Sequence, residues 1–166
     1  MRLFSAILLA LIPIYLGAKR KATLLQEGRI KAALLKLAEG IHFEIEAFSR
    51  PQNQIFSRFE DTTLEKIGFL PRLRDEVDRD PCGAFSRTLD FFHGERLFSP
   101  LEEEAWRDFA LRFGMQSKIA QLEDLKKLLR ILEKEEEKAK EKRASDAALA
   151  WTVGLCAGIG LFILII

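Results

Sequence analysis

Cysteine and histidine are scarce in this chain of 166 residues, with two of each. Cys82 follows a proline in a polar stretch, whereas Cys156 lies inside a long apolar run, so the two thiols are not expected to pair. His42 and His93 have no Cys, Asp or Glu at the spacing that metal ligands require. The sequence therefore predicts no disulfide, no metal site and no cofactor, and the free thiols fit a reducing compartment.

Signatures of enzymes and of nucleic-acid binders are also missing. Gly28, Gly40 and Gly68 are too far apart to form a phosphate-binding loop. The dipeptide Pro81-Cys82 is not a nucleophile signature, and Cys82 is expected in the first turn of a helix. The net charge of +1 argues against a nucleic-acid binder, which should be clearly basic. We therefore predict a non-enzymatic protein with no catalytic residues and no nucleic-acid partner.

No stretch alternates apolar and polar residues with a period of two, so we expect no β-sheet. Apolar residues recur instead at steps of three and four, which is typical of amphipathic helices. In residues 22–48 these are Leu24, Leu25, Ile30, Leu34, Leu37, Ile41, Ile45 and Phe48. Together with the 13 phenylalanines, the pattern predicts an all-α domain of about five to six helices.

Prolines and caps mark the starts of the shorter helices. Pro51 either ends the first helix or begins one over residues 52–60, and Pro71 begins another. Asp80-Pro81 is expected to cap a helix that carries Phe85 and Leu89. Ser99-Pro100 followed by Glu102 predicts a capping box, and the acidic first turn complements the helix dipole. Gly114 is expected to stop that helix.

Residues 117–166 read as one helix of about 50 residues. Its first part predicts an inward face, its middle is a solvated run of Glu, Lys and Arg over residues 133–143, and residues 147–166 carry no charge. An uncharged run of about 20 residues matches the thickness of a bilayer core. The predicted inward residues are Ile119, Leu122, Leu125, Leu129 and Leu132.

Residues 3–18 form a second apolar run, which is short for a membrane span. Two interpretations stay open here: a retained transmembrane helix, or a signal peptide cleaved near Ala18. Positive charge marks the cytoplasmic side of a span, and both basic clusters face the middle of the chain. We therefore predict a two-span protein of the cell membrane whose central domain is cytoplasmic. The topology-setting cluster is Lys19, Arg20, Lys21, Lys140, Lys142 and Arg143.

The predicted domains are an N-terminal transmembrane helix and basic stop (1–21), a cytoplasmic helical domain (22–146) and a C-terminal transmembrane helix (147–166). Ala150, Gly154 and Gly158 recur every four residues, and small residues at this spacing let membrane helices approach closely. The face is either a packing surface or incidental. Its candidate partners are the first span, a second copy in a homo-oligomer, or another membrane subunit.

Several stretches, in order, carry a resemblance to a known family. Residues 34–37 and 41–45 with Arg50-Pro51 resemble its first cytoplasmic helix and the following turn. Residues 80–89 are similar to the start of its central helix. Phe113-Gly114, Gln121, the Glu-rich segment with Ala139, and residues 154–158 resemble its C-terminal half. The family is that of stage III sporulation protein AB of endospore-forming bacteria, and the similarity covers the full chain.

The resemblance implies a structural subunit of the channel-like complex between mother cell and forespore, in the mother-cell membrane. It implies a helical cytoplasmic domain similar to that of type II secretion and type IV pilus platform proteins. It also implies partners: a cytoplasmic ATPase and the membrane subunits of the same complex. The alternative interpretation is a membrane-tethered signalling or tethering coiled coil, which Glu136 and Ala139 at heptad core positions disfavour.

Overall fold

The structure is a computed structural model that describes the backbone of residues 2–93 and 97–165. Side chains are described for residues 11–93, 97–160 and 163. All regular secondary structure in these ranges is helical, so the predicted all-α class is confirmed. The helices are α1 (Arg2–Phe48), α2 (Gln52–Arg58), α3 (Thr62–Lys66), α4 (Phe69–Arg79), α5 (Ala84–Phe92), α6 (Pro100–Arg112) and α7 (Lys118–Ile165).

The two long helices agree with the sequence. Helix α1 has 47 residues and includes Pro13, and α7 has 48 residues. The periodic segment 22–48 is thus the later part of a helix that begins at Arg2. The single C-terminal helix predicted from residue 117 begins at Lys118.

The segment between α1 and α4 agrees with the prediction at Pro51 and differs from it after α2. Pro51 precedes α2 as its N-cap residue, and its carbonyl accepts hydrogen bonds from the N–H groups of Gln54 and Ile55. Helix α3 was not predicted, because five residues are too few for a periodic signal. Its signal was the cap: the Asp61 carboxylate accepts from Thr63 N–H at 2.8 Å and from Leu64 N–H at 3.1 Å.

The predicted start of α4 at Pro71 was two residues late. The helix begins at Phe69, after Gly68 at φ 81°. Proline is tolerated there because the first N–H groups of a helix have no partner within the helix. Helix α4 therefore starts where a left-handed glycine turns the chain, and Pro71 lies within its first turn.

The predicted cap at Asp80 was also wrong. Asp80 ends α4, and its carboxylate accepts a hydrogen bond from Cys82 N–H at 3.0 Å. Gly83, at φ 76°, then leads into α5. Cys82 consequently lies in the exposed turn between two helices and not in a first helical turn.

The capping box of α6 is confirmed in both directions. Ser99 Oγ accepts from Glu102 N–H at 3.3 Å, and the Glu102 carboxylate accepts from Ser99 N–H at 2.5 Å. That carboxylate also binds Lys31 Nζ at 2.6 Å, which pairs the buried charge. Helix α6 ends before Gly114, whose φ of 84° is the expected C-terminal stop.

Residues 29–137 form one compact unit, which we call unit 2. Within it α4 packs against α2, α3 and α5, and α5 packs against α6. Phe85 lies at the centre: its ring stacks on Trp106 at 5.1 Å and contacts Phe56 at 5.9 Å. The α1 and α7 segments of unit 2 supply the aliphatic part of the core, including Leu37, Ile41, Leu125, Leu128 and Leu132.

Three residues predicted to face inward are exposed. They are Leu25, Phe48 and Ile119, and Ile119 is the most exposed of them at 73%. In the part of α7 that belongs to unit 2, the buried apolar side chains are Leu125, Leu128 and Leu132, with Leu122 and Leu129 at the margin of the core. The periodicity predicted the correct buried side of α7. It did not predict which residues lie at the middle of that buried side or where along the helix burial begins.

Residues 1–28 and 138–166 form a second compact unit, unit 1. Its described apolar side chains are mostly exposed, among them Leu11, Leu16, Val153 and Ile159. Within the residues that the structure describes, no helix has both the length and the apolar character that a membrane crossing requires. Parts of both predicted spans, at residues 3–10, 161–162 and 164–166, have side chains outside the described residues.

Candidate functional site

Unit 2 contains a groove of about 480 Å³ where three connections of the fold meet. It involves the end of α1, the start of α2, the turn after α4, the end of α6 and the start of α7. We call it the Lys118 groove. Its lining residues are Ile45, Ser49, Arg50, Pro51, Gln52, Asn53, Pro81, Phe113, Gly114, Lys118 and Gln121.

The turn after α1 forms one wall. Ser49 adopts φ 51°, the left-handed conformation that ends many helices, and its N–H donates to the Ile45 carbonyl at 3.1 Å. Arg50 then pairs with Glu44 and places its guanidinium 4.2 Å from the centre of the Phe48 ring. The wall is therefore held by backbone geometry and by an internal ion pair.

The opposite wall depends on Gly114. Gln52 Nε2 donates to the Phe113 carbonyl at 3.0 Å, which ties α2 to the end of α6. A Cβ atom at Gly114 would overlap the Gln52 side chain. Gln121 Nε2 donates to the Gln116 carbonyl at 2.7 Å and secures the turn into α7. The amide groups of this wall are thus engaged in holding turns together.

Lys118 supplies the charge of the groove. Its Nζ donates to the Glu46 carbonyl at 2.9 Å and to Ser49 Oγ at 2.8 Å, and both acceptors are uncharged. Among the described residues no carboxylate lies within 4.0 Å of this ammonium group. The groove lining also holds Arg50 but no acidic residue. Since Arg50 is neutralised by Glu44, the uncompensated charge belongs to Lys118.

A serine and a lysine in contact form a nucleophile–base pair in some hydrolases. Here Lys118 Nζ donates to the Ser49 hydroxyl oxygen and also to the Glu46 carbonyl. These two bonds tie the start of α7 to the last turn of α1, and the Lys118 side chain is exposed. The contact between Ser49 and Lys118 thus positions α7 against α1.

Exposed apolar side chains adjoin the groove. Phe43 and Phe48 are in edge contact at 5.8 Å, and they are 59% and 53% exposed. Met115 follows Gly114, and Ile119 follows Lys118; these side chains are 66% and 73% exposed. Four of the seven large apolar side chains that unit 2 exposes, in the described part of the chain, lie in these segments. Such clusters mark interaction surfaces.

The predicted packing residues Ala150, Gly154 and Gly158 lie in unit 1. Gly154 and Gly158 are buried, and Ala150 is half-buried. A Cβ atom at Gly154 would lie 2.8 Å from the Pro13 carbonyl oxygen and 3.2 Å from Gly17 Cα. Within this unit the two helix segments thus approach each other at glycine backbone.

The predicted topology-setting residues all belong to unit 1. Lys19, Arg20, Lys21, Lys140 and Lys142 are exposed. Lys21 Nζ lies 5.7 Å from the centre of the Trp151 ring. The half-buried Arg143 lies along Gly28, with Nε 3.3 Å from the position that a Cβ atom there would take. Their role in topology stays a prediction.

Polar side chains outside the groove form local pairs. His42 Nδ1 lies 3.7 Å from the Glu46 carboxylate, and His93 contacts Glu103. Burial works against ionisation of Glu103, but hydrogen bonds from His93 and Arg107 prevail and lower its pKa. In the described part of the chain no three His, Cys, Asp or Glu side chains come together as metal ligands.

Another group of polar contacts lies between α4 and α5. Arg87 Nε donates to the Glu76 carboxylate at 2.8 Å, and the same guanidinium donates to the carbonyls of Asp80 and Cys82. The hydrogen bond with Arg87 lowers the pKa of Glu76, and the same bond raises the pKa of Arg87. The pair stabilises the α4–α5 turn, whose Pro81 lines the groove.

The sequence did not predict the Lys118 groove. Its residues come from three separate connections, and no spacing rule relates them. Two local signals were visible: Arg50-Pro51 after a long periodic segment, and Gly114 followed by a basic residue at a helix start. Neither signal indicates that the two turns meet in space.

Comparison with known proteins gives one clear result. The family model described as stage III sporulation protein AB matches residues 2–166, which is essentially the whole chain. No curated protein and no solved structure matches the chain significantly. The resemblance noted in the sequence is thereby confirmed. This chain is all-α in the residues that the structure describes, and the model matches it over essentially its full length. It therefore belongs to the stage III sporulation protein AB family and takes part in stage III of sporulation.

Proposed function

We propose that the chain is a non-enzymatic membrane scaffold subunit of the secretion-like channel complex between mother cell and forespore. In this proposal unit 2 lies in the mother-cell cytoplasm and binds a cytoplasmic ATPase of the complex. Unit 1 holds the chain in the membrane beside the channel subunits. Family membership supports the setting, which is the sporulation complex.

One observation carries the proposal: α1 and α7 contribute residues to both units. The same two helices supply Leu37, Ile41 and Leu125 to the core of unit 2 and the glycine contact at Gly17 and Gly154 to unit 1. The units are thus connected by two helices. Such a double connection suits a scaffold protein that binds one partner through unit 1 and another through unit 2.

Exposed apolar residues in unit 1 support a lipid environment. Leu11, Ile12, Leu16, Val153 and Ile163 are each more than half exposed. Exposure of many large apolar side chains is unfavourable in water and favourable in hydrocarbon. Trp151 and Tyr15 are exposed in the same unit, and such residues are typical of membrane interfaces.

The first test uses the two native cysteines, both of which are exposed. In a Cys156→Ser variant, a membrane-impermeant thiol reagent should label Cys82 only when it is given access to the cytoplasm. In a Cys82→Ser variant, Cys156 should resist the reagent until detergent is added. Labelling of Cys82 from outside intact cells would reverse the topology, and ready labelling of Cys156 without detergent would contradict the lipid environment.

The second test addresses the assembly. The full-length chain, extracted with detergent from sporulating cells, should co-purify with an ATPase and with membrane proteins of the same developmental stage. A chain that leaves the membrane fraction in alkaline carbonate, or that purifies without these partners, would contradict the scaffold role.

A further inference from the structure

We propose that the Lys118 groove is the docking site for an acidic segment of a partner protein, with apolar residues flanking its carboxylates. This inference deepens the proposed function, since it names the surface of unit 2 that a partner uses. It rests on the charge of the groove, on the apolar residues beside it and on the rigidity of its walls.

The lining of the groove contains no carboxylate side chain. Lys118 is exposed and hydrogen-bonded only to uncharged acceptors. The end of α1 and the start of α7 both face this region, and their helix dipoles have opposite signs here, so they largely cancel. What remains is a lysine with no acidic partner, and a carboxylate of an occupant would complement it.

The apolar surroundings of the groove are supplied by Phe43, Phe48, Met115 and Ile119. Each is more than half exposed, although unit 2 buries its other phenylalanines almost completely in the described range, Phe59, Phe91 and Phe98 apart. The Phe48 ring is held between Phe43 and Arg50, so its position is restrained. An ordered aromatic ring loses little conformational entropy on binding, which makes it a good anchor for an apolar side chain.

The walls are preorganised. Arg50 is paired with Glu44, Gln52 is bonded to the Phe113 carbonyl, and Lys118 is bonded at two points. These groups need not rearrange to receive a ligand, and the cost of ordering is therefore low. A volume of about 480 Å³ accommodates a few residues of an extended or helical segment, not a whole domain.

The experiment places a photo-crosslinking amino acid at Met115 in the full-length chain in sporulating cells, followed by mass spectrometry of the crosslinked peptide. We expect a peptide of another protein that contains clustered Asp or Glu beside apolar residues. The matched control places the same probe at Leu101, which is 48% exposed and lies at the opposite end of α6. A basic peptide, a peptide of a second copy of this chain, or a yield no higher than at Leu101 would overturn the proposal.

Charge variants then test the recognition itself. Lys118→Glu should reduce the yield of the Met115 adduct about tenfold or more, because like charges at an interface are strongly unfavourable. Lys66→Glu, at an exposed lysine of α3 outside the groove, should leave the yield unchanged. An Asp or Glu to Lys change in the identified partner peptide should restore the adduct with Lys118→Glu. No loss with Lys118→Glu, or no restoration, would contradict the charge pairing.

Lys118→Gln distinguishes recognition from a local folding defect. The amide can still donate to the Glu46 carbonyl but carries no charge. We expect wild-type thermal unfolding and a reduced adduct yield for this variant, and a wild-type yield would count against the inference. If Cys82 labelling and membrane fractionation agree with the scaffold role while the Met115 adduct is absent, the groove assignment alone fails. If the chain is released from the membrane fraction by alkaline carbonate, the scaffold role is contradicted whether or not the Met115 adduct forms.

Discussion

Units 1 and 2 differ in how far their large apolar side chains are buried. Of those that are described as exposed, eleven lie in unit 1 and seven in unit 2, although unit 1 has about half as many residues. Unit 2 buries phenylalanine and leucine around Phe85, whereas unit 1 brings glycine backbone together at Gly17 and Gly154. Burial of side chains drives association in water, but it offers no gain between helices in lipid. One chain thus packs its helices in two different ways.

The largest effect is expected in the core of unit 2. Phe85→Ala removes a ring that contacts Trp106, Phe56, Phe69, Phe109 and Phe113, so we expect the free energy of unfolding to fall by about 3–5 kcal/mol. Chemical unfolding of the full chain in detergent, followed by circular dichroism, measures the loss. The control is Phe91→Ala, which truncates a 60% exposed ring on the same helix and should cost about 1 kcal/mol or less. Equal losses for the two variants would contradict the central position of Phe85.

The second prediction concerns the glycine contact of unit 1. Gly154→Leu introduces a side chain where a Cβ atom already lies 2.8 Å from the Pro13 carbonyl oxygen, so the two helix segments should separate. We expect their separation to move toward the roughly 8–10 Å of ordinary helix pairs. Spin labels at Leu16 and Leu155, measured by pulsed electron resonance in detergent or lipid, report the change. Gly160→Leu is the matched control, since a Cβ atom there has no neighbour within 4 Å. An unchanged distance in Gly154→Leu would show that this contact does not set the helix spacing.

The third prediction separates two uses of glycine in unit 2. Gly114 and Gly68 have nearly the same φ, 84° and 81°, but only a Cβ atom at Gly114 would overlap Gln52. Gly68→Ala should therefore cost about 1–2 kcal/mol from backbone strain alone. Gly114→Ala should cost more, since the hydrogen bond from Gln52 to the Phe113 carbonyl is displaced as well. Unfolding of both variants under identical conditions gives the difference, and a larger loss at Gly68 would be the opposite of what the contacts indicate.

The smallest effect concerns the polar pair of unit 2. Because Arg87 lowers the pKa of Glu76 in the folded chain, ionised Glu76 contributes stability above its ordinary value of 4.5. That contribution should disappear as the pH falls through the lowered pKa. The melting temperature of the wild type should therefore decline more steeply below pH 4.5 than that of Glu76→Gln. Asp78→Asn, at an exposed carboxylate of the same helix, should retain the wild-type slope. If the melting temperatures of the wild type and of Glu76→Gln fell in parallel with pH, the Glu76–Arg87 pair would make no contribution to the stability of unit 2.

Much of the helical content was predictable, and the reasons are local. The capping box at Ser99 and Glu102, the stop at Gly114 and the length of α7 depend on residues within a few positions of each other. The errors arose where one local sequence pattern is compatible with two structures. Asp80 is as well suited to end a helix and accept from Cys82 N–H as to start the next helix, and the turn at Gly83 selected the former.

Side-chain placement was predicted less well for the same physical reason. Period and hydrophobicity identify an apolar face, and Leu37, Ile41 and Leu125 are indeed buried. Period and hydrophobicity do not show how far along a helix the packed neighbouring helices extend. Ile119 and Phe48 were therefore predicted to be buried, and both are exposed. Those exposed residues adjoin the Lys118 groove, and the mismatch between pattern and burial is thus itself a sign of an interaction surface.

The all-α class, the positions of the long helices, the capping box at Ser99 and the family followed from the amino-acid sequence, because these depend on contacts between near neighbours or on residue order. Only the tertiary structure decided that Phe85 is the centre of the core, that Gly17 meets Gly154, and that Lys118 reaches Ser49. Each of these contacts joins residues far apart in the chain. Such pairs form only when the helices pack, and the packing depends on the shapes of all their side chains together.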